Sequence, residues 1–364
     1  MKVLIAGGGV AGAAAACLLG PECTVIERET GPHDKICGEF ISPEAVGYLR
    51  QLGVDPAALG AAPVERLRLA YGSSVATLKL PFTAYGLSRR VLDAALLTRA
   101  EALGAEVERG RTVRSLDEGV AEVSGLGRFP GCPVFLATGK HDLHGARRQP
   151  ARPPADLVGL KMHLAIDPAQ AAELAGHVEI LIFRGGYGGL QPIEGGGANL
   201  CVLLDRRRFL EAEQGWASVQ ALLEAESPHL AARLRGARPL LERPLSIYRV
   251  PYGFVHRPGP AEPANVFRLG DQAAVIPSFS GDGVAMALHS AFAASAAVGE
   301  GGAAAYHAGL RRDVSGQVAA AGAIYRLGRS APAALVRAAR LWPGALRWAA
   351  RLTRVPASAL LSAR

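Results

Sequence analysis

The sequence predicts an α/β fold in which a doubly wound parallel sheet is interrupted by an antiparallel sheet and followed by C-terminal helices. Three observations carry this. The chain opens on a strand, a glycine turn and a small-residue helix, with a second strand at Thr24–Glu27. Its middle third alternates in the manner of antiparallel strands. From about Ala303 the pattern turns helical and arginine-studded.

Taken in order, residues 2–6 (KVLIA) form a buried strand, GGGVAG a turn, and Ala13–Leu19 the start of a helix. A turn-rich stretch leads to a helix from Pro43 to Leu52. Residues 66–71 and 75–80 form a hairpin around Gly72-Ser73-Ser74, and residues 87–105 an amphipathic helix ending at Gly104. EVERG and VFLATG (134–139) return as strands. Beyond RRQPARPPA, the segments LVGLKMHLA, HVEILIFRGG, YGGLQPI and ANLCVLLD alternate, helical pieces fill 206–235, ANVFRLGD is a strand and Gly283–Val298 a small-residue helix. This places a nucleotide-binding domain at 1–65, 84–150 and 255–310. A substrate domain takes 66–83 and 151–254, and C-terminal helices take 311–364.

Composition excludes several classes. Hydrophobic residues make up 49% of the 364 positions and charged residues 20%, as in globular proteins. The net charge of +8 rests on arginine, with five lysines in the chain, and is weak grounds for a nucleic-acid partner; none is expected. Five scattered cysteines show neither a CxxC pair nor metal-ligand spacing, which predicts no metal and a reducing cytoplasm. The N-terminal apolar run is too short for a signal peptide, and no stretch has the ~20 uninterrupted apolar residues of a membrane span.

Gly7-Gly8-Gly9-Val10-Ala11-Gly12 fits GxGxxG between a strand and a helix, the context in which the motif carries meaning. Gly7 permits the turn, Gly9 lets a pyrophosphate approach the backbone beside Ala11, and Gly12 lets helix and sheet pack closely. The helix N-terminus offers free N–H groups to phosphate. Glu27, followed by Arg28, closes the second strand where a ribose hydroxyl acceptor belongs, which favours FAD or NAD over NADP. Further on come Leu269-Gly270-Asp271-Gln272, then Pro277 and Gly281-Asp282-Gly283-Val284-Ala285-Met286. A carboxylate at a strand end can accept from a ribitol hydroxyl. Asp282 can serve the cofactor or simply cap the following helix.

That second stretch resembles the second FAD fingerprint of the geranylgeranyl reductase and aromatic hydroxylase superfamily of flavoproteins. Lys35-Ile36-Cys37-Gly38-Glu39-Phe40 is similar to the family's CGE segment, which implies flavin contacts at Cys37, Gly38 and Phe40; a small apolar filler or a redox thiol are the other roles open to Cys37. Ser88-Arg89-Arg90-Val91-Leu92-Asp93 resembles the R-x-x-x-D helix start, with Arg89 in the flavin-contacting position. Val113 matches the position whose backbone meets adenine, and Asp271, Gly283 and Val284 those that meet the flavin half. The resemblance covers residues 1–140 and 264–300 well and the middle loosely. It implies a Rossmann-type FAD-binding domain with an inserted antiparallel β-sheet substrate domain and a helical C-terminus, reduced by transiently docked NAD(P)H or a separate donor protein.

Arg184–Pro192 stands where the geranylgeranyl reductases carry P-x-x-Y-x-W-x-F-P. Tyr187 and Pro192 match, but Arg184, Gly189 and Gln191 replace the leading Pro, the Trp and the Phe. Loss of these aromatics tilts the expectation away from reduction of isoprenoid double bonds. It favours a monooxygenase that oxidises a lipophilic, aromatic or polyketide-like molecule through a flavin C4a-hydroperoxide. A non-catalytic lipid carrier is the remaining alternative, and the absence of WxWxIP makes halogenation a poor candidate. Candidate pocket residues are Tyr187, Pro192, Tyr248, Tyr252 and His141, each of which can instead pack or be solvated. In the tail, Arg337, Arg340, Arg347, Arg351 and Arg354 share one helical face and Leu335, Ala339, Trp342 and Leu346 another, with a break at Pro343. Such helices either pack on the flavin domain or touch an anionic membrane or an acidic partner.

Overall fold

The computed structural model describes residues 2–151, 153–212, 215–260, 262–299 and 301–362, apart from the side chains of residues 343 and 345–347. The chain opens with β1 (Val3–Ala6), α1 (Val10–Leu19) and β2 (Cys23–Glu27). β3 (Phe40–Ile41), α2 (Pro43–Gln51), β4 (Ala62–Tyr71), β5 (Ser74–Gly86) and α3 (Arg89–Ala102) follow. Ser42 and Ser88 set the starts of α2 and α3, accepting from the Ala45 and Val91 N–H groups. Next come β6 (Glu106–Arg109), then β7 (Val113–Asp117), β8 (Val120–Val123) and β9 (Gly127–Phe129) as an antiparallel meander, and β10 (Val134–Leu136).

The middle holds β11 (Leu157–Ala165), α4 (Pro168–Leu174), β12 (Gly176–Phe183), β13 (Gly186–Pro192) and β14 (Ala198–Asp205). Then come α5 (Arg206–Glu211), α6 (Trp216–Glu226), α7 (Pro228–Arg233), β15 (Arg238–Pro239) and β16 (Leu245–Tyr248). β17 (Val266–Arg268), α8 (Gly283–Ala297), α9 (Gly302–Ser330), α10 (Pro332–Leu341) and α11 (Pro343–Leu352) close the chain.

Five strands make a wholly parallel sheet in the order β17-β10-β1-β2-β6. Its central strands β1 and β10 are apolar and fully buried because both faces are covered, whereas the edge strand β6 (EVER) is partly exposed. α1 lies against α3 and α8, and Ala13–Ala16 are completely buried, so only small side chains fit there. This is the Rossmann-type α/β fold expected.

The larger sheet runs β15-β11-β14-β13-β12-β4-β5-β3, with β16 also on β11. One pair departs from the antiparallel expectation: β4 and β12 run parallel. They are brought together by the flavin-side domain between them in sequence, so no local turn dictates their direction. The period of two decides what each strand offers. In β11, Val158, Leu160, Met162 and Leu164 join Val219, Leu223 and Leu230 in one core. Lys161 and His163 point to the other face, toward the parallel-sheet domain.

The C-terminal helices divide their partners. Leu310, Val314 and Val318 of α9 belong to the core of the first domain. Val336 and Ala339 of α10 pack on Leu69, Leu78 and Ile182 of the large sheet instead. Packing on the flavin domain alone is therefore corrected, as is a single arginine face. Prolines at 332 and 343 break the segment into three helices, Arg354 is buried and Trp342 is exposed. The side chains of Leu346 and Arg347 lie outside those described. Among the described residues no helix is long and apolar enough to cross a membrane.

Candidate active site

A cavity of about 800 Å³ runs along the C-terminal ends of the parallel strands, within the usual span of ligand pockets. The glycine turn forms one wall. Gly7 has φ +108°, and a Cβ there would meet the Ala137 carbonyl oxygen at 2.6 Å. A Cβ on Gly12 would stand 1.9 Å from the Gly7 oxygen, so the turn closes only with glycine. Gly12 itself lies off the cavity and acts through this packing. Gly9 caps α1, whose first N–H groups face the cavity.

Two cations stand over that helix end. Arg89 grips Asp93 through Nε and Nη2 at 2.8 and 2.9 Å, and Lys35 meets the same carboxylate at 2.9 Å. Burial alone would raise the Asp93 pKa, but Arg89 and Lys35 outweigh it and hold the group below its ordinary value. Both cations lie beside Gly9, where a pyrophosphate would sit. Glu27 accepts from the Gly8 N–H at 2.8 Å and the Glu29 N–H at 3.0 Å, which bolts the end of β2 to the turn.

Arg28, Val113 and His141 line the same cavity. Burial, then Arg28 and Lys140, push the His141 pKa down, so its ring is neutral near pH 7. It lines this first cavity and not the second described below. At the other end Asp271 meets Lys140 at 3.2 Å, and Gly283 and Val284 bring up the start of α8. Burial opposes charge on Lys140, but Asp271 prevails and its pKa stays above the ordinary lysine value. The glycine cradle, the paired cations and Asp271 fit FAD: the start of α1 would hold its phosphates, Asp271 would accept from its ribitol, and Cys37, Gly38 and Phe40 would line its flavin end. FAD bound there would supply redox chemistry.

A second cavity, about 240 Å³, adjoins the first at Cys37, Gly38, Phe40, Lys140, Tyr252 and Ser278. Its floor is the large sheet, with Leu67, Leu69, Ile180 and Ile182 facing in. Its roof comes from α9 to α11, through Ile324, Tyr325, Leu335 and Ala350. On β13 the alternation puts Tyr187, Gly189 and Gln191 on this wall and turns Pro192 away, so Pro192 does not line the pocket. The same parity on β16 gives the cavity Ile247 and sends Tyr248 outward, 45% exposed and hydrogen-bonded to Asp156.

At the junction three hydroxyls form a chain. Tyr187 Oη lies 2.7 Å and Tyr252 Oη 2.8 Å from Ser278 Oγ, and the Phe279 N–H donates to Tyr187 Oη at 3.2 Å. Three hydroxyl protons serve two contacts between oxygens, which leaves one proton to donate elsewhere. Burial raises the pKa of both tyrosines, so the chain is a donor near neutral pH and not a base.

The loop between the cavities is braced from beneath by a buried charge cluster. Lys161, fully buried, bonds Glu39 and donates to the Lys35 oxygen at 3.0 Å. His163 Nε2 meets the other Glu39 oxygen at 2.7 Å, and the Arg89 N–H donates to Glu39 at 2.9 Å. Asn199 donates to the Cys37 and Gly38 carbonyls at 3.1 and 3.0 Å. Glu39 sits at φ +60°, uncommon for a residue with a side chain, and this cage holds it there. Ligand atoms of Asp34, Glu39 and His163 lie within 4.8 Å of one another, with the Lys161 ammonium already bonded to Glu39 beside them.

The structure thus brings Gly7, Gly9, Ala11, Glu27, Arg28, Cys37, Gly38, Phe40, Arg89, Val113, Asp271, Gly283 and Val284 to one cavity. Asp282 lies beneath it, completely buried, bonded to Ser42, Arg354 and the Val355 N–H. Lys35, Lys140, Lys161, His163, Asn199 and Ser278 escaped the sequence reading. Their one signal is scarcity and placement: three of the five lysines meet here, and Lys161 and His163 break an apolar strand at alternate positions.

Residues 1–129 match the model of the FAD binding domain family. The flavin-dependent brominase Bmp2 superposes with a TM-score of 0.78 at 18% identity, over 96% of this chain and 93% of that one. CmlS, a flavin-dependent halogenase, gives 0.72 at 21% identity over 88% and 63%, and the myxobacterial chondrochloren halogenase CndH 0.70 at 18% over 85% and 78%. At such identities the likeness concerns the fold. No curated protein matches the chain by sequence. The matched domain spans residues 1–129, and over the whole chain the likeness to these flavin-dependent enzymes is one of fold.

Proposed function

We propose that the protein is an FAD-dependent monooxygenase acting on a lipophilic, aromatic or polyketide-like molecule, with NAD(P)H or a separate protein as electron donor. One observation carries the reading: an apolar cavity of about 240 Å³ opens onto the flavin end of the dinucleotide cavity. The reaction balances as a substrate C–H, O2, NAD(P)H and a proton giving C–OH, water and NAD(P)+.

The chain's own residues bind, orient and exclude water. The leucine and isoleucine floor takes an apolar body, and the Tyr252–Ser278–Tyr187 chain offers its spare proton to an oxygen at the junction. Lys161, Glu39 and Asn199 hold the Cys37–Gly38 turn against which the reacting ring would lie. Converting Tyr252 to Phe removes one hydroxyl and should lower kcat about tenfold while flavin content stays constant.

Halogenation is the second reading, since the structural neighbours named above include halogenases and a brominase. Single-turnover assays with reduced protein, candidate phenolic substrates, oxygen-18 and bromide separate them. Oxygen-18 in the product supports the proposal. A brominated product, or turnover without O2 that saturates an alkene, overturns it.

A further inference from the structure

The roof of the substrate cavity is also the most unusual surface of the molecule. Leu341, Trp342 and Trp348 are 71, 67 and 64% exposed, the three most exposed large apolar side chains among the described residues. All lie on α10, α11 or the corner between them. Arg337, Arg340 and Arg351 are exposed on the same two helices, and none makes an ion pair among the described residues. From residue 314 to 364 the sequence holds eight arginines and no acidic residue. A monomeric surface gains nothing from holding two tryptophans and unpaired cations in water.

We propose that α10 and α11 form a docking surface for an anionic lipid bilayer, with Trp342 and Trp348 inserted among the headgroups. Exposed cations fit the negative surface potential of such a membrane, and tryptophan rings favour its interface. Leu335, Ala349 and Ala350 of these helices, with Thr353 just beyond α11, line the apolar cavity. One helical layer therefore separates the bilayer from the cavity, a short path for a lipophilic substrate. Only that last step rests on the proposed function; the surface stands on charge and exposure.

A folded acidic protein would satisfy the arginines but would not take the indole rings into an apolar medium. Full-length, FAD-loaded protein carrying Trp216→Phe would report on Trp342 and Trp348 alone. It is mixed with vesicles of equal parts phosphatidylglycerol and phosphatidylcholine, and separately with phosphatidylcholine vesicles. Co-sedimentation with the anionic vesicles at least tenfold above the neutral ones is expected, falling with salt and accompanied by a blue shift of tryptophan emission. Replacing each of Arg337, Arg340 and Arg351 by Gln should weaken binding about fivefold per arginine. Trp342→Ser with Trp348→Ser should weaken it more than tenfold. Unchanged flavin absorbance in every variant shows that the fold is retained. No binding to anionic vesicles, binding without a tryptophan shift, or binding indifferent to these substitutions overturns the proposal. Because vesicle binding is read without turnover, its failure is separate from failure of the monooxygenase reading.

Discussion

The two cavities are built by opposite means. The dinucleotide cavity is made of backbone and charge: glycines that leave room, helix ends, and Arg89, Lys35 and Asp271 at set places. The adjoining cavity is made largely of apolar side chains on strands of the large sheet, under helices from the C-terminal end of the chain. In the first, Gly7 and Gly12 leave no room for a Cβ. The second defines a volume, and many apolar side chains would define it equally well. The first cavity is therefore set by positions, and the second by sizes.

Four substitutions would break or sharpen this contrast. The largest effect belongs to Gly12→Val. With a Cβ 1.9 Å from the Gly7 oxygen, α1 must leave the sheet, and the variant should purify without flavin or fail to fold. Normal flavin absorbance would show that the turn has slack.

Arg89→Ala comes second. It removes the bidentate partner of Asp93 and leaves Lys35 to hold the carboxylate. Loss of hydrogen bonds to a charged group costs about 1.5–3 kcal/mol, so FAD should bind roughly 10- to 100-fold more weakly by titration.

Gly189→Trp tests the other cavity. The nearest side-chain atom to a Cβ there, Ile180 Cδ1, is 4.0 Å away, so the indole would grow into open space. Flavin content should be unchanged while turnover of bulky substrates falls more than tenfold. A parallel loss of flavin would show that the two cavities are not separable.

The smallest effect concerns Asp282, whose carboxyl burial pushes up to about 7 against the pull of Arg354. A folded-state pKa above the unfolded value adds stability that is complete below the ordinary carboxylate range and is lost as pH rises through about 7. The Tm should therefore decline from pH 4 to 7 through this group, and Asp282→Asn should flatten that decline. An unchanged slope would place the proton elsewhere.

Most of the cofactor side was legible because its signals are local. GxGxxG, Glu27, and the GD and GDG stretches are short patterns whose spacing alone sets geometry, and they meet because the parallel sheet aligns strand ends. Tyr248 and Pro192 illustrate the limit on the substrate side. Each stands out in the sequence as a chemical type, but strand parity turns it away from the second cavity and offers Ile247 and Gln191 instead. Register cannot be read from one strand alone. Lys161 and His163 were equally hidden: their meaning depends on Glu39, more than 120 residues distant.

By itself, then, the sequence determined that the chain opens with a dinucleotide fold, that an FAD fingerprint recurs near residue 271, and that the tail is helical and cationic. Tertiary structure alone decided that Lys161 cages Glu39, that Ser278 links two tyrosines at the cavity junction, and that the tail roofs the large sheet. The physical reason is range. A glycine turn or a helix cap is settled by neighbours a few residues away, whereas a cavity wall or a buried ion pair exists only once distant strands have chosen their register and direction.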